Sequence, residues 1–339
     1  MAPASLPSLA AVPPRGPEQP PAADGNPGDP PCGDPPCGNP PNGEAISGEG
    51  LLAWRRSMLS LQGAGRSRTA ELDWLLDLGA GVRWPDLQRL RLRPETPLIL
   101  HRPLSSLEEL WRRHCSSSEP LQYLLGCCCW SELRLAVGPA VLIPRPETER
   151  LAELAVALAP APPAERPLRW ADLGTGSGCL AIALESNLDG AQGLAVDRCA
   201  AALAQAAVNL SALAPAVGLR QGDWWQAIEP WWGQLDLVVS NPPYIPTTLL
   251  DELDPEVRDH EPRLALDGGA DGLEAIRTLI SGARQGLAPG GVLVLEHHHD
   301  QSDAVLQLLA AAGLDTIQAH RDLEGVLRFA SGSRHRDDG

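Results

Sequence analysis

The sequence predicts an α/β protein: a doubly wound, mostly parallel sheet preceded by a small helical bundle. From residue 146 onward, short apolar runs alternate with segments of helical periodicity. Between about residues 46 and 115, leucines and tryptophans recur at helical spacing. A chain of 339 residues, 43% of them hydrophobic, is long enough to bury at least one full core.

The chain begins with a Pro/Gly-rich tail, residues 1 to about 45, that we expect to be disordered because it cannot bury enough apolar surface. Cys32 and Cys37 fall within a short repeat there and lack the paired spacing of a zinc site. No secretory signal and no apolar run of membrane-spanning length is apparent, so a cytoplasmic location is expected.

Residues 46–115 are expected to form the helical bundle, with Gly and Pro breaks between its helices. The bundle either recognises a substrate or only covers and stabilises the domain that follows. Residues 116–145 are predicted to form a β-hairpin linker, with strands over 133–137 and 140–143 and a turn at Gly138-Pro139.

The main domain is predicted to span residues 146–331 and to be followed by a C-terminal tail, residues 332–339. It begins with a helix from Pro146 to Leu158. Strands are expected near 168–173, 192–197, 217–221, 234–240, 291–297, 314–319 and 325–331, and helices near 178–187, 199–213, 270–286 and 301–312. This alternation is typical of a parallel, doubly wound sheet.

A glycine-rich loop follows the first of these strands. It is formed by Gly174, Thr175, Gly176, Ser177 and Gly178. Glycines allow the backbone to approach a ligand closely, and a dinucleotide-binding oxidoreductase is the obvious alternative. Asp197 ends the next strand, where a carboxylate can accept both hydroxyls of a ribose. An adenosine-containing cofactor is therefore expected.

Asn241-Pro242-Pro243-Tyr244 follows the apolar strand Leu235–Ser240, at the carboxyl end where open α/β sheets place their chemistry. The prolines stiffen the loop and donate no N–H, so it presents acceptors beside the flat ring of Tyr244. Such a site suits a planar group that carries an NH2. Together with the glycine loop and Asp197, this motif favours S-adenosylmethionine, whose sulfonium methyl is an electrophile.

In these features the chain resembles the class I methyltransferases that act on planar NH2 groups, and within them the HemK/PrmC family, the N5-glutamine methyltransferases of peptide-chain release factors. The most specific stretches are Pro120-Leu121-Gln122-Tyr123-Leu124-Leu125-Gly126 and Val141-Leu142-Ile143-Pro144-Arg145-Pro146-Glu147-Thr148-Glu149. DNA adenine methyltransferases share Asn-Pro-Pro-Tyr but lack the second stretch. The resemblance covers roughly residues 50 to 331 and includes Gly222-Asp223-Trp224, Glu261-Pro262, Asp271-Gly272, Arg321-Asp322-Leu323 and Arg328-Phe329.

The resemblance implies a seven-stranded sheet with a final antiparallel strand. It implies methyl transfer from S-adenosylmethionine to the glutamine of the Gly-Gly-Gln motif in class I release factors, with the helical domain recognising that substrate. The implied substrate-binding residues are Asn241, Pro242, Pro243 and Tyr244, of which Asn241, Pro242 and Tyr244 are also the catalytic set. The implied cofactor-binding residues are Gly174, Thr175, Gly176, Ser177, Gly178, Asp197, Trp224 and Asn241. Trp225 is an alternative to Trp224 for covering the adenine.

Several residues keep two interpretations. Asp172 is expected to brace the glycine loop, and Arg145 and Glu147 either shape the cofactor entrance or form a salt bridge between domains. His297 to His299 suggest a metal, but alternate strand residues face opposite ways, so a solvated strand end is favoured and no metal is expected. The Cys127–Cys129 run has no assigned role.

Three other functions are compatible with parts of the pattern. A ribosomal-protein glutamine methyltransferase resembles the chain less around Pro144–Glu147. An adenine N6 methyltransferase of DNA needs a basic surface, which a net charge of -16 opposes. A binding module without turnover is the third. We expect a release factor as partner, no direct contact with nucleic acid or membrane, and a monomer.

Overall fold

The computed structural model of the protein describes residues 43–61, 68–229 and 231–336. All of them belong to one of two units in the chain, Pro35–Gly339. The predicted tail up to residue 42, with Cys32 and Cys37, lies outside the described residues, as do residues 337–339 of the predicted C-terminal tail.

Within the described residues, the N-terminal part consists of five helices and a two-stranded antiparallel sheet. In chain order the elements are β1 (Glu44–Ser47), α1 (Gly48–Ser60), α2 (Thr69–Ala80), α3 (Trp84–Leu92), β2 (Pro97–Leu100), α4 (Leu104–Ser117) and α5 (Leu121–Leu125). Ser47 caps α1, since its hydroxyl accepts a hydrogen bond from the Gly50 N–H at 3.1 Å. Buried leucines from these helices pack around Trp111, whose indole N–H donates to the Met58 carbonyl at 3.0 Å.

The sequence did not predict the pair of β1 and β2. Glu44 and Ala45, placed in the tail, begin β1 and pair with Leu100 and Ile99. Four-residue strands with mostly exposed side chains carry little periodic signal, and their pairing depends on residues about 50 positions away. The N-terminal part is therefore mainly helical and also contains one short two-stranded sheet.

The hairpin after α5 is formed by a different pair of segments from the predicted one. Its strands are β3 (Cys127–Trp130) and β4 (Leu133–Ala136), which pair antiparallel around a turn at Ser131 and Glu132. A turn does form at Gly138-Pro139, where the Val141 N–H donates to the Gly138 carbonyl at 3.1 Å, but the predicted return strand over 140–143 is wrong, since these residues form no strand. The unpredicted strand is β3, in which Cys127 and Cys128 are buried and act as its apolar residues. Ser131 takes the positive φ that the turn needs.

The main domain is a seven-stranded sheet, and the predicted class I methyltransferase fold is confirmed. Its elements are α6 (Pro146–Leu158), β5 (Arg169–Leu173), α7 (Cys179–Asn187), β6 (Gln192–Asp197), α8 (Ala200–Leu213), β7 (Gly218–Gln221), β8 (Leu235–Ser240), α9 (Pro255–Arg258), α10 (Glu274–Gly286), β9 (Leu287–Glu296), α11 (Ser302–Ala311), β10 (Asp315–Arg321) and β11 (Leu327–Ser333). Short 3₁₀ helices cover Trp224–Ile228, Thr247–Glu252 and Arg263–Ala265. The strand order is β10-β11-β9-β8-β5-β6-β7, and β11 is antiparallel to both of its neighbours.

Two hydrophobic cores lie on opposite faces of the sheet. Residues of α6, α7 and α8 bury one face, and residues of α10 and α11 bury the other. The strands are apolar on both sides for this reason, with all six residues of β8 buried. Because β9, β8, β5 and β6 are adjacent and parallel, their carboxyl ends bring Glu296, Asn241, Gly174 and Asp197 to one edge.

The helical part contacts the segment between β8 and α10. The imidazole of His114 on α4, 1% exposed, lies 3.1 Å from a carboxylate oxygen of Glu71 and shares a cluster with Glu256 on α9. His260 Nε2 also lies 2.8 Å from the Ser117 carbonyl. Of the helices within the described ranges, none is both long and apolar enough to cross a membrane.

Candidate active site

A cavity of about 570 Å³ opens at the carboxyl ends of β5, β6 and β8. Its volume is in the range of small-molecule sites. Residues predicted from the sequence that line it are Gly174, Thr175, Gly176, Ser177, Asp197, Trp224, Asn241 and Pro243. Gly178, Pro242 and Tyr244 were also predicted but are not among the lining residues.

The glycine loop begins where β5 ends. Gly174 and Gly178 adopt φ values of 82° and 85°, in the left-handed region that favours glycine. The N–H groups of Gly174 and Thr175 both donate to the Val196 carbonyl, at 2.9 and 2.8 Å, which fastens the loop to β6. A Cβ on Gly176 would meet nothing within 4 Å, so the backbone there faces the open cavity.

Asp197 holds the loop with its carboxylate. One oxygen accepts from the Gly176 N–H at 3.0 Å, and the other accepts from the Cys199 N–H at 2.9 Å, just before α8. Each carboxylate oxygen has a second lone pair, and the side chain is only partly buried at the cavity wall. The carboxylate is thus oriented and still able to accept hydrogen bonds from a ligand.

Asp172 lies beneath the loop and is fully buried. Its Oδ2 accepts from the Thr175 hydroxyl at 2.6 Å, whereas Oδ1 has no hydrogen-bond partner among the described residues. Burial raises the pKa of Asp172 to about 7. Its contacts fit the bracing role expected from the sequence.

Asn209 of α8 links the loop to the hairpin. Its amide donates to the carbonyls of Ser177 and Ala136, at 2.8 and 2.9 Å, and accepts from the Ala136 N–H at 2.7 Å. The side chain is 0% exposed, so these three bonds satisfy an otherwise costly buried amide. The sequence analysis did not single out this residue.

The two neighbouring tryptophans have different surroundings. Trp224 lines the cavity with its ring over Gly174, and a Cβ on that glycine would lie 3.1 Å from Trp224 Cζ3. Trp225 is 5% exposed and packs against Gly282 and Gly286 of α10. Its indole N–H donates to the Leu279 carbonyl at 2.9 Å. Of the pair, Trp224 is placed to cover a planar ligand group.

Asn241 follows β8 and faces the cavity. Its Nδ2 donates to the hydroxyl of Thr148 on α6 at 3.0 Å, and none of the described groups donates to its Oδ1. The Pro242 carbonyl likewise accepts no hydrogen bond from the described part of the chain. Two acceptors at the end of this strand thus retain free lone pairs.

Tyr244 points away from the cavity wall. Its hydroxyl donates to Glu296 Oε1 at 3.2 Å, and its ring packs at the edge of the core formed with α10 and α11. Gln301 fixes the backbone here, since its Nε2 donates to the Tyr244 carbonyl at 2.9 Å. Burial and the neighbouring Glu296 charge raise the pKa of Tyr244.

Thr148 and Glu296 were not predicted as site residues. The Thr148 hydroxyl donates to Glu296 Oε2 at 3.0 Å, and both side chains are almost fully buried. Thr148 lies within the Ile-Pro-Arg-Pro-Glu-Thr-Glu stretch, in which the sequence analysis assigned roles only to Arg145 and Glu147. Glu296 could have been recognised from the sequence, because it is a carboxylate at the end of an apolar strand, where burial is costly unless the group has partners.

Arg145 both lines the cavity and forms an ion pair. Its Nη2 lies 2.6 Å from Oε1 of Glu261, whose other oxygen accepts from the Ile143 N–H at 3.3 Å. Burial raises the pKa of Glu261, which is 6% exposed. The pair joins the segment before α6 to the segment after α9, so the two interpretations of Arg145 are compatible.

The histidine and cysteine runs lie apart from the cavity. His297 is buried with its Nδ1 2.8 Å from the His298 carbonyl, and His298 pairs with Asp300. In the part of the chain that the structure covers, none of the three histidines belongs to a group able to share a metal ion. Cys128 is buried, which raises the pKa of its thiol.

Comparison with known proteins gives a consistent picture. The family model described as methyltransferase small domain matches residues 155–250. A protein of Prochlorococcus marinus named release factor glutamine methyltransferase is 48% identical over 281 residues, which cover 82% of this chain and 94% of that protein. A protein of Gloeobacter violaceus with the same name is 42% identical over 279 residues, covering 81% of this chain and 94% of its own length.

Among solved structures, a ribosomal protein L11 methylase from Lactobacillus delbrueckii subsp. bulgaricus has 23% sequence identity and a TM-score of 0.41. The match covers 59% of this chain and 84% of that one.

Proposed function

This chain belongs to the family of release factor glutamine methyltransferases, as the sequence predicted, and we propose that it methylates the glutamine of the Gly-Gly-Gln motif in class I release factors at the side-chain amide nitrogen. The methyl donor of the family is S-adenosylmethionine, which supplies an electrophilic methyl group on a positively charged sulfur. The observation that carries the proposal is the free acceptor Asn241 Oδ1 on the cavity wall, followed in the chain by the Pro242 carbonyl, which accepts no hydrogen bond from the described residues.

The cavity fits the proposed cofactor. The open backbone face at Gly176, the oriented carboxylate of Asp197 and the ring of Trp224 provide close approach, hydroxyl acceptors and an aromatic surface within one wall. We assign Gly174, Thr175, Gly176 and Ser177 to the same wall, with Gly178 setting the turn into α7. A dinucleotide cofactor was the alternative for such a loop, and the family membership removes it.

Binding of the substrate amide follows from the acceptors. An amide nitrogen is a poor nucleophile, because its lone pair is delocalised into the carbonyl. Hydrogen bonds from its two protons to Asn241 Oδ1 and the Pro242 carbonyl would fix the nitrogen toward the cavity. The nitrogen would take the methyl group as the S–C bond breaks, with that bond's electron pair left on the sulfur, and would lose one proton to water. Pro243 adds an apolar contact at the wall. Tyr244 contributes through Glu296 and the loop backbone, since its hydroxyl is engaged there.

We further propose that the protein acts as a monomer and that it meets the release factor in the cytoplasm. The helical part is proposed to help recognise the substrate, since it contacts the segment between β8 and α10 through His114 and Ser117.

The test is methyl transfer from labelled S-adenosylmethionine to purified release factor. Wild type is compared with Asn241→Ala, and the release factor with one whose Gly-Gly-Gln glutamine is replaced. The proposal requires label at that glutamine, lost with the substituted release factor and reduced at least about 100-fold by Asn241→Ala. Cofactor binding by wild type without any label on the release factor would refute it.

A further inference from the structure

Four side chains from three parts of the main domain form a continuous hydrogen-bonded chain, which we call the Asn241 relay. Asn241 Nδ2 donates to Thr148 Oγ1 and Thr148 donates to Glu296 Oε2, each at 3.0 Å. Tyr244 donates to the other oxygen of Glu296 at 3.2 Å. Thr148 is 3% and Glu296 2% exposed, so both are largely shielded from water, and the relay reaches the cavity at Asn241 and Thr148, which line it.

The polarity of the relay follows from the carboxylate. An ionised carboxylate only accepts hydrogen bonds, so the hydroxyls of Thr148 and Tyr244 must both donate to Glu296. With its proton committed, the Thr148 oxygen can only accept from Asn241, which must therefore present its NH2. The amide oxygen of Asn241 is thereby left facing the cavity.

Protonation of Glu296 removes that constraint. A protonated carboxyl can donate to Thr148, whose hydroxyl is then free to donate to Asn241, and Asn241 would accept by turning its oxygen toward Thr148. The Asn241 NH2 would then face the cavity. A donor in that position opposes the NH2 of a substrate amide.

We propose that Thr148 and Glu296 are positioning residues that set the amide orientation of Asn241, and that protonation of Glu296 reverses it. This inference rests on the proposed function, in which Asn241 must offer an acceptor. It assigns a chemical role to two residues that themselves need not touch the transferred methyl group.

The pH at which the reversal occurs depends on the charges around Glu296. Burial raises the pKa of Glu296 to about 7. Among the neighbouring groups, the carboxylate of Glu147 on α6 raises this pKa and the guanidinium of Arg328 on β11 lowers it. The thiol of Cys179 on α7 and the phenol of Tyr244 face the same carboxylate and stay neutral near pH 7, because their own pKa values are raised. Orientation is therefore expected to change near neutral pH.

The first experiment removes the middle member. Thr148→Val keeps the side-chain shape but has no hydroxyl, so we expect kcat for release factor methylation to fall at least about tenfold. Cofactor affinity, measured by calorimetry, should change less than about threefold. Thr148→Ser restores the hydroxyl and should recover most of the rate. A Val variant with wild-type kcat would overturn the proposal.

The second experiment uses pH. Wild-type kcat should fall on the acid side with a midpoint near pH 7, and a glutamine amide in the substrate cannot cause this because it does not titrate there. Glu296→Gln is neutral at all pH values, so its profile should lack that limb. An acid limb that persists unchanged in Glu296→Gln would contradict the role of Glu296.

The third measurement does not depend on methylation. In ¹⁵N-labelled protein, the Asn241 side-chain NH2 signal, identified by its loss in Asn241→Ala, should shift as Glu296 titrates in wild type but not in Glu296→Gln. If this coupling is present and release factor is not methylated, the proposed function fails while the relay stands. If methylation is normal and the signal does not respond, the relay fails alone.

Discussion

Gly174 lies directly against the ring of Trp224, so that a Cβ on the glycine would be 3.1 Å from Cζ3 and 3.4 Å from Cη2 of the indole. The contact joins the end of β5 to the 3₁₀ helix after β7 and closes one side of the cavity. The absence of a side chain at residue 174 thus serves both the backbone turn and the position of the aromatic ring.

Gly174→Ala should weaken cofactor binding at least about tenfold, because the methyl group displaces Trp224 and strains a backbone at φ 82°. Gly190→Ala is the matched control: its φ is 68°, but the added Cβ meets nothing within 4 Å. Calorimetric titration with S-adenosylmethionine should separate the two variants. Equal affinities in both would contradict the prediction, because Gly190 does not line the cavity and its variant reports only a general effect of a strained glycine position.

The two neighbouring tryptophans should respond in opposite ways to truncation. Trp224→Ala is expected to lower cofactor affinity about tenfold with little change in stability, because the ring lines the cavity. Trp225→Ala should lower the free energy of unfolding by about 3 to 5 kcal/mol, because that ring is buried against α10. Denaturant unfolding and calorimetry on both variants check this, and a reversed pattern would exchange the two assignments.

Asp197→Asn should weaken cofactor binding about 100-fold. The carboxylate accepts from the N–H groups of Gly176 and Cys199 on its two oxygens, and an amide must turn its NH2 toward one of them. Asp189→Asn, on an exposed turn, removes the same charge and should leave the affinity unchanged. A comparable loss in the control would mean that net charge, not loop geometry, governs binding.

Arg145→Met should reduce stability by about 3 kcal/mol at neutral pH, because it leaves the buried Glu261 carboxylate without its ion-pair partner. Burial already raises the pKa of Glu261, and loss of Arg145 raises it further. A raised native pKa means that stability falls as pH increases through the ordinary glutamate range, since the unfolded chain ionises first. The deficit of Arg145→Met should therefore shrink toward acid pH.

The double variant Arg145→Met with Glu261→Gln tests the origin of that effect. With no carboxylate to bury, the pH-dependent part of the deficit should disappear in denaturant unfolding curves recorded across the acid range. A deficit that stays constant with pH would indicate lost packing of the arginine stem in place of an unpaired charge.

The sequence predicted the main sheet closely because its signals are local. Each strand is a short apolar run bounded by turns, and α6 begins at Pro146 and ends at Leu158 as predicted. The first strand of the hairpin was missed because three consecutive cysteines do not suggest a strand. In the structure Cys127 and Cys128 are buried and belong to that strand.

The site was most predictable where a motif is contiguous, although Asp197 and Trp224, which line the cavity, were also predicted from their positions after strands. The glycine loop and Asn-Pro-Pro-Tyr each lie within a few residues and can be recognised without a structure. Thr148 and Glu296 are 148 positions apart, and their hydrogen bond exists only because α6 packs across β8 and β9. This hydrogen bond, like the ion pair of Arg145 with Glu261, depends on tertiary packing and cannot be recognised from local sequence.

Asn209 joins three regions of the chain that are far apart in sequence: α8, the strand β4 at Ala136 and the glycine loop at Ser177. A loop held in this way loses its conformational entropy when the protein folds, before any ligand arrives. The free energy released on cofactor binding is then not diminished by ordering of the loop. The affinity of the site for its cofactor is in this sense partly determined by a side chain that never contacts the cavity.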